Sequence, residues 1–259
     1  MSGERVNPLL DPTARPVIGH RGAAAYAPEN TLESFRLALA MGADALEFDV
    51  RRSADGEAVV VHDAILDRTT NLAGPVASRT VAELRGADAG FHFVSQDGET
   101  LFRGRGIGIP TLAEVIAAFP GIPLLIEVKE VEVQAAIARA LVEGGAADRA
   151  VVAGSNHQAL EAFRSAPFTV GASQRDIARL YFGVGAPHPR CRTYAVPDRY
   201  YGLPVPTRRF VRAARVRAST VHVWTVDDAR TAIGLWRNEV NGIVTNRPDV
   251  IVAARMRPT

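Results

Sequence analysis

Short apolar runs rich in β-branched residues recur along this chain, with helix-patterned stretches between most of them. That alternation constrains the fold more than any other feature, because parallel strands need long crossovers and helices supply them. Nine runs qualify: residues 17–20 (VIGH), 45–50 (ALEFDV), 58–63 (AVVVHD), 123–129 (PLLIEVK), 150–155 (AVVAGS), 168–172 (FTVGA), 193–197 (TYAVP), 221–226 (VHVWTV) and 242–245 (GIVT). Helix starts are signalled by Asn30 with Glu33, Thr111 with Glu114, Asp227 before a helical pattern, and Pro248 in a first turn. Gly42, Gly144 and Gly242 follow helix ends, where a left-handed cap costs glycine little.

One junction breaks the pattern. Only RRSADGEA separates the second and third runs, whereas a parallel crossover needs about a dozen residues or more. Asp55-Gly56 is a hairpin signal, so the third run is expected to fold back antiparallel on the second. Eight strands remain, the number in a (β/α)8 TIM-type barrel. An open doubly wound sheet ranks second, because no glycine-rich phosphate fingerprint follows the first strand. Residues 64–110 fit no repeat and are too long for a plain loop; they read as a small insertion over the barrel mouth.

A chain of 259 residues, 47% apolar and 22% charged, suits a single globular domain. A formal charge of +2 with scattered arginines gives no nucleic-acid footprint. The single cysteine, Cys191, cannot form an intrachain disulfide and suggests no zinc site. The start, MSGERVNPLLDP, has no apolar core of a signal peptide, and no apolar run approaches the roughly 18 residues of a membrane span. A cytoplasmic protein without stable membrane insertion is expected; the sequence carries no signal for oligomeric state.

The chemistry gathers at strand ends. Glu47 and Asp49 stand two apart in ALEFDV, so a strand places both carboxylates on one face. Two acids facing a barrel interior repel and lose hydration unless a cation or proton lies between them. The hairpin should bring His62 almost opposite Glu47. His20 and Arg21 end the first strand, and Gly22 frees the backbone beyond them. Two imidazoles beside a carboxylate cluster suggest an acid/base couple. Glu127 and Lys129 again stand two apart on one face, and Lys129 is the chain's only lysine among 30 basic residues. Alone, a solitary lysine means nothing. Beside three carboxylates, which suit a hard ion such as Mg²⁺ or Ca²⁺, it is a compact charge placed for an anionic substrate.

HRGAAAYAPENTLESF (20–35), GADALEFDVRRSADGEAVVVHDAILDRTT (42–70), IPTLAEV (109–115), LLIEVK (124–129), VHVWTV (221–226) and GIVTNRPD (242–249) together resemble the glycerophosphodiester phosphodiesterase family. The resemblance spans nearly the whole chain. It implies a distorted barrel with a small insertion after the hairpin and one divalent cation, Mg²⁺ or Ca²⁺, at the mouth. It also implies that a glycerophosphodiester is hydrolysed to an alcohol and glycerol 3-phosphate. By motif, His20 and His62 match the acid and base, and Glu47, Asp49 and Glu127 match the metal ligands. Arg21 and Lys129 match positions facing the phosphate, and Trp224 matches an aromatic lining the substrate pocket. The attacking group would be a glycerol hydroxyl or a water.

Three places depart from the family pattern: Asn156-His157 where an aromatic is common, Asp227 where asparagine is common, and Asn246 where aspartate is frequent. None is a proposed ligand, so they bear on substrate preference. His92, His157, His188 and His222 match no catalytic position and are expected to be structural; His222, on the face of Trp224, is the nearest to an exception. Two other readings share the scaffold: a lysophospholipase D or sphingomyelinase D-like enzyme, which would need an apolar approach for an acyl chain, and a non-catalytic metal- or phosphate-binding barrel.

Overall fold

The computed structural model describes residues 7–256. Its strands are β1 (Val17–His20), β2 (Ala45–Arg52), β3 (Ala58–Val60), β4 (Leu124–Val128), β5 (Ala150–Ala153), β6 (Thr169–Gly171), β7 (Cys191–Pro197), β8 (Arg199–Tyr200), β9 (Leu203–Pro204), β10 (Thr220–Trp224) and β11 (Gly242–Thr245). Its helices are α1 (Leu32–Ala40), α2 (Val81–Arg85), α3 (Leu112–Ala118), α4 (Gln134–Glu143), α5 (Gln174–Phe182), α6 (Arg208–Arg215), α7 (Ala229–Arg237) and α8 (Pro248–Arg255). All nine expected runs form strands. Eight of them pair in parallel and close a ring through β1, which meets both β2 and β11. This is a TIM-type barrel.

The hairpin strand β3 lies outside the ring, antiparallel to β2. Its turn centres on Asp55, with the Ser53 amide donating to the Glu57 carbonyl at 3.0 Å. Val50 therefore pairs with Val60, and continuing that register sets His62 level with Phe48, one residue past Glu47. A second, two-stranded hairpin, β8–β9, follows β7. Nothing in the sequence pattern signals it, because two-residue strands show no periodicity.

Side chains pack in layers. Leu9, Ile18, Leu125, Val151 and Val244 fill the barrel interior, while larger clusters join the outer strand faces to the helices. Within 64–110, Leu66, Val76, Leu84, Ile107 and Ile109 build a separate small core on Val59 and Val61, so this segment packs against the hairpin. Arg68 is its link to the mouth, pairing with Glu29 at 2.7 Å and with Asp63.

Capping differs from the sequence reading at two starts. Thr31, not Asn30, caps α1, and Asp228, not Asp227, caps α7. Both displaced residues serve the site instead. Thr111 with Glu114 forms the expected capping box, and Pro248 opens α8. Gly42 is left-handed at φ 89°, but at the other two ends the left-handed residues are Gly145 (φ 59°) and Glu239 (φ 68°). Gly242 begins β11 with no room for a side chain, since an added Cβ would collide with the His222 ring.

Candidate active site

Strand register assembles the acids. His20 of β1 pairs with Glu47 of β2, and Asp49 pairs with Glu127 of β4. Carboxylate oxygens of Glu47, Asp49 and Glu127 consequently lie within 4.8 Å of one another. Burial, then the neighbouring Asp49 and Glu127 carboxylates, pushes Glu47 well above the usual carboxylate range. Burial opposes ionisation of Asp49 too, but Lys129, Arg21 and Asn30 outweigh it and hold this carboxyl below its ordinary value. The donor set is all carboxylate oxygen, partly desolvated and short of positive charge at Glu47. It fits a hard divalent cation.

Positive charge crowds the same spot. Lys129 Nζ lies 2.9 Å from Asp49 Oδ1 and 3.0 Å from Glu127 Oε1. Arg21 reaches Asp49 at 3.0 Å and Glu29 at 2.9 Å, and its backbone amide donates to Glu47 Oε2 at 3.0 Å. That amide is presented by a left-handed residue, φ 52° at Arg21, followed by Gly22 at 90°. A Cβ at Gly22 would meet the Ser34 backbone at 2.6 Å, so the tight turn requires glycine there. Asn30, also left-handed, donates its amide to Asp49 Oδ2 at 3.0 Å.

Each histidine is oriented through Nδ1. Asp227 can only accept, so its 2.8 Å contact fixes the amide nitrogen of Asn246 and turns Oδ1 toward His20. His20 Nδ1–H then donates to that oxygen at 2.7 Å, and Nε2 lies 4.0 Å from Glu47 Oε2. Burial, then the Arg21 charge, lowers the His20 pKa despite the Asn246 bond. His62 donates from Nδ1 to Asp63 Oδ1 at 2.6 Å, and Asp63 is held in turn by Arg68.

Both histidines, Arg21, Glu47, Glu127, Lys129 and Trp224 line one cavity of about 720 Å³ at the carboxyl ends of the strands. Asp49 lies just beneath its surface, bonded to Arg21 and Lys129. His222 faces the opposite end of the barrel, fully buried, with Nε2 2.9 Å from the Leu9 carbonyl. His92, His157 and His188 do not line the cavity. Glu29 and Asn30 are supporting residues that sequence reasoning missed, while Asp227 and Asn246, read there as bearing on substrate preference, hold His20. Asn30 and Asp227 were disguised as helix caps.

A barrel mouth with three converging carboxylates, two imidazoles and two cations suits an anionic substrate. Residues 20–250 match the Glycerophosphoryl diester phosphodiesterase family. The chain belongs to that family and is an enzyme of the phosphoric diester hydrolase class. A glycerophosphodiester phosphodiesterase of Caldanaerobacter subterraneus subsp. tengcongensis is 29% identical over 91% of this chain and 96% of its own. The crystal structure of a glycerophosphodiester phosphodiesterase from Agrobacterium tumefaciens superposes with a TM-score of 0.74 at 27% identity, covering 92% of this chain and 99% of that one. An Oleispira antarctica phosphodiesterase, in complex with its product sn-glycerol-3-phosphate, superposes with a TM-score of 0.78 at 26% identity, covering 94% and 98%. Among the described residues no helix is long and apolar enough to cross a membrane.

Proposed function

We propose that this enzyme hydrolyses glycerophosphodiesters to an alcohol and glycerol 3-phosphate, with one divalent cation, Mg²⁺ or Ca²⁺, and two histidines as acid and base. The observation that carries the reading is the convergence of Glu47, Asp49 and Glu127 within 4.8 Å at the cavity that Glu47 and Glu127 line together with His20 and His62. Those three carboxylates would hold the ion, which when bound supplies positive charge to a phosphoryl oxygen. Arg21 and Lys129 add charge that favours the phosphorane-like transition state over the ground state. Anchoring of each Nδ1–H leaves Nε2 of His20 and His62 as the nitrogen that exchanges protons. One takes the proton of the attacking hydroxyl; the other gives a proton to the departing alcohol. Trp224 lines the substrate pocket.

Relatives named for this activity, and the product held by the Oleispira enzyme, support the substrate class. We read the whole chain as one phosphodiesterase domain with 64–110 as an insertion at the mouth, supported by the reach of Arg68 to Glu29 and Asp63. Lipid metabolism and the cytoplasm are the setting we assign, the latter on the lone cysteine, buried at Cys191. Choline release from glycerophosphocholine, before and after chelation and on adding back Mg²⁺ or Ca²⁺, tests the proposal. Turnover that survives chelation removes the ion from it; no turnover with either ion removes the activity.

A further inference from the structure

We infer that the outward side of α6 is a docking face for an anionic lipid bilayer, on which the protein rests through arginines that take no part in the reaction. The face stands whatever the cavity turns over.

Charge is not spread evenly along the chain. Between residues 175 and 217 stand ten arginines against two aspartates, while the remainder holds 20 basic residues against 26 acidic ones. The formal charge of +2 therefore conceals a positive segment on an otherwise negative chain. Helix α6 carries its densest part. Phe210, Val211 and Ala214 turn inward and are buried, which at about 100° per residue leaves Arg208, Arg209, Arg212 and Arg215 on the outward side. All four are exposed, as is Arg217 just past the helix end. None of the five lines the cavity.

These arginines also lack internal counter-charge. Elsewhere Arg51, Arg68, Arg85, Arg139 and Arg255 each meet a carboxylate. Within 175–217, among the described residues, only Arg199 and Arg215 do so, at 3.9 Å to Asp198 and 3.5 Å to Glu239. Arg208 donates to the neutral Asn238 Oδ1 at 3.0 Å, and Arg217 to the Ala213 carbonyl at 2.9 Å. Asp176 is buried and taken up by Ser173 and the His188 amide. A patch of one sign without neutralising partners gathers the opposite sign from outside.

The ends of the row select the kind of anion. Val216, at the C-cap of α6, is 85% exposed, and Val184 is 67% exposed. Val184 follows Gly183, where an added Cβ would lie 3.5 Å from an Arg209 nitrogen. Guanidinium groups grip phosphate through paired hydrogen bonds. An arginine row with an apolar side chain at each end matches a bilayer surface, where phosphates lie just above acyl carbon. A nucleic-acid backbone would offer the valines nothing. Because the apolar side of α6 is already packed on the barrel, the helix rests on the headgroups and does not sink among the chains.

Co-sedimentation of the full chain with vesicles of phosphatidylcholine and phosphatidylglycerol in equal parts, and with vesicles of phosphatidylcholine alone, tests the face. We expect the mixed vesicles to bind at least about a hundredfold more tightly, at about fivefold for each charge near the surface. That margin should collapse between about 0.1 M and about 1 M salt, as the screening length falls from about 10 Å to about 3 Å. Arg208→Gln combined with Arg209→Gln and Arg212→Gln should weaken binding to the mixed vesicles by about a hundredfold. Glycerophosphocholine turnover should stay within about twofold, and a melting curve coincident with the wild type's reports that the variant folds. Arg212→Gln alone, the milder change, should lose about fivefold. Equal binding of the wild type to both kinds of vesicle overturns the face, and so does a folded variant that binds like the wild type. A DNA duplex that strips the protein from mixed vesicles at equal phosphate concentration also overturns it, in favour of a nucleic acid. Absent turnover by the wild type counts against the phosphodiesterase reading alone.

Discussion

The amide oxygen of Asn246 accepts from Nδ1 of His20 at 2.7 Å, and the amide nitrogen donates to Asp227 at 2.8 Å. A neutral amide therefore sets the imidazole, with the carboxylate one step removed. That arrangement fixes the tautomer without placing a formal charge on the ring.

Asn246→Leu removes the acceptor and leaves volume similar. We expect kcat to fall roughly ten- to hundredfold with KM little changed, read by steady-state kinetics on glycerophosphocholine. An unchanged kcat would show that the ring needs no anchor.

His20→Ala and His62→Ala should each lower kcat by roughly 10²- to 10⁴-fold. The three carboxylates remain, so Mg²⁺ or Ca²⁺ should still raise the melting temperature of both variants. Wild-type turnover in either removes that histidine from the mechanism.

Lys129 bridges Asp49 and Glu127 at 2.9 and 3.0 Å, a span matched to a compact ammonium. Lys129→Arg keeps the charge but swings a longer planar group into the cluster, and kcat/KM should drop by about tenfold or more. Full activity would make the solitary lysine an accident of composition.

Glu47 is raised by burial and by its acidic neighbours. A carboxyl with a raised folded pKa binds its proton more tightly when folded, so stability falls as pH climbs above the unfolded value. At neutral pH, Glu47→Gln should make the ion-free protein more stable by about 1 kcal/mol or more. Saturating Mg²⁺ or Ca²⁺ reverses the ranking, because only the wild type gains, by about 2.7 kcal/mol at a hundredfold excess over Kd. Urea melts with and without ion decide it; a variant less stable than the wild type when both are ion-free refutes the strain assigned to Glu47.

His222 is buried and its pKa is pushed down to about 4. Its folded pKa is depressed, so the unfolded chain takes up a proton first as pH falls below about 6.5. Stability should decline by about 2 kcal/mol from pH 7.5 to pH 5 on account of this ring. A His222→Gln variant should lose that component of the slope in denaturant titrations, even if its absolute stability is lower. Parallel slopes would acquit the histidine.

The barrel was legible because its strands are apolar runs of the right length, separated by enough chain to cross over. The cluster was legible because Glu47 with Asp49, and Glu127 with Lys129, carry charge at strand spacing inside apolar surroundings. Hairpin register decides how close His62 comes, and the place expected almost opposite Glu47 is met to within one residue, at the level of Phe48. Asn30 and Asp227 were opaque because polar residues before a helix look like caps, and only the fold reveals that Thr31 and Asp228 take that duty. The apolar wall was opaque for a different reason. It is the side of the cavity assembled from Ala153, Ala172 and Ala195, one face of α5 and the six-residue hairpin Arg199–Pro204, none of which has a pattern of its own.

Two sides of the mouth hang on different stretches of chain: the reacting groups between residues 20 and 129, and the apolar side chains Ile177, Tyr181, Phe182, Tyr200 and Leu203 between 177 and 203. Changes in one stretch need not disturb the other. A lineage built on this scaffold is free to alter its diet while keeping its bite, since appetite and cutting edge are inherited on separate segments.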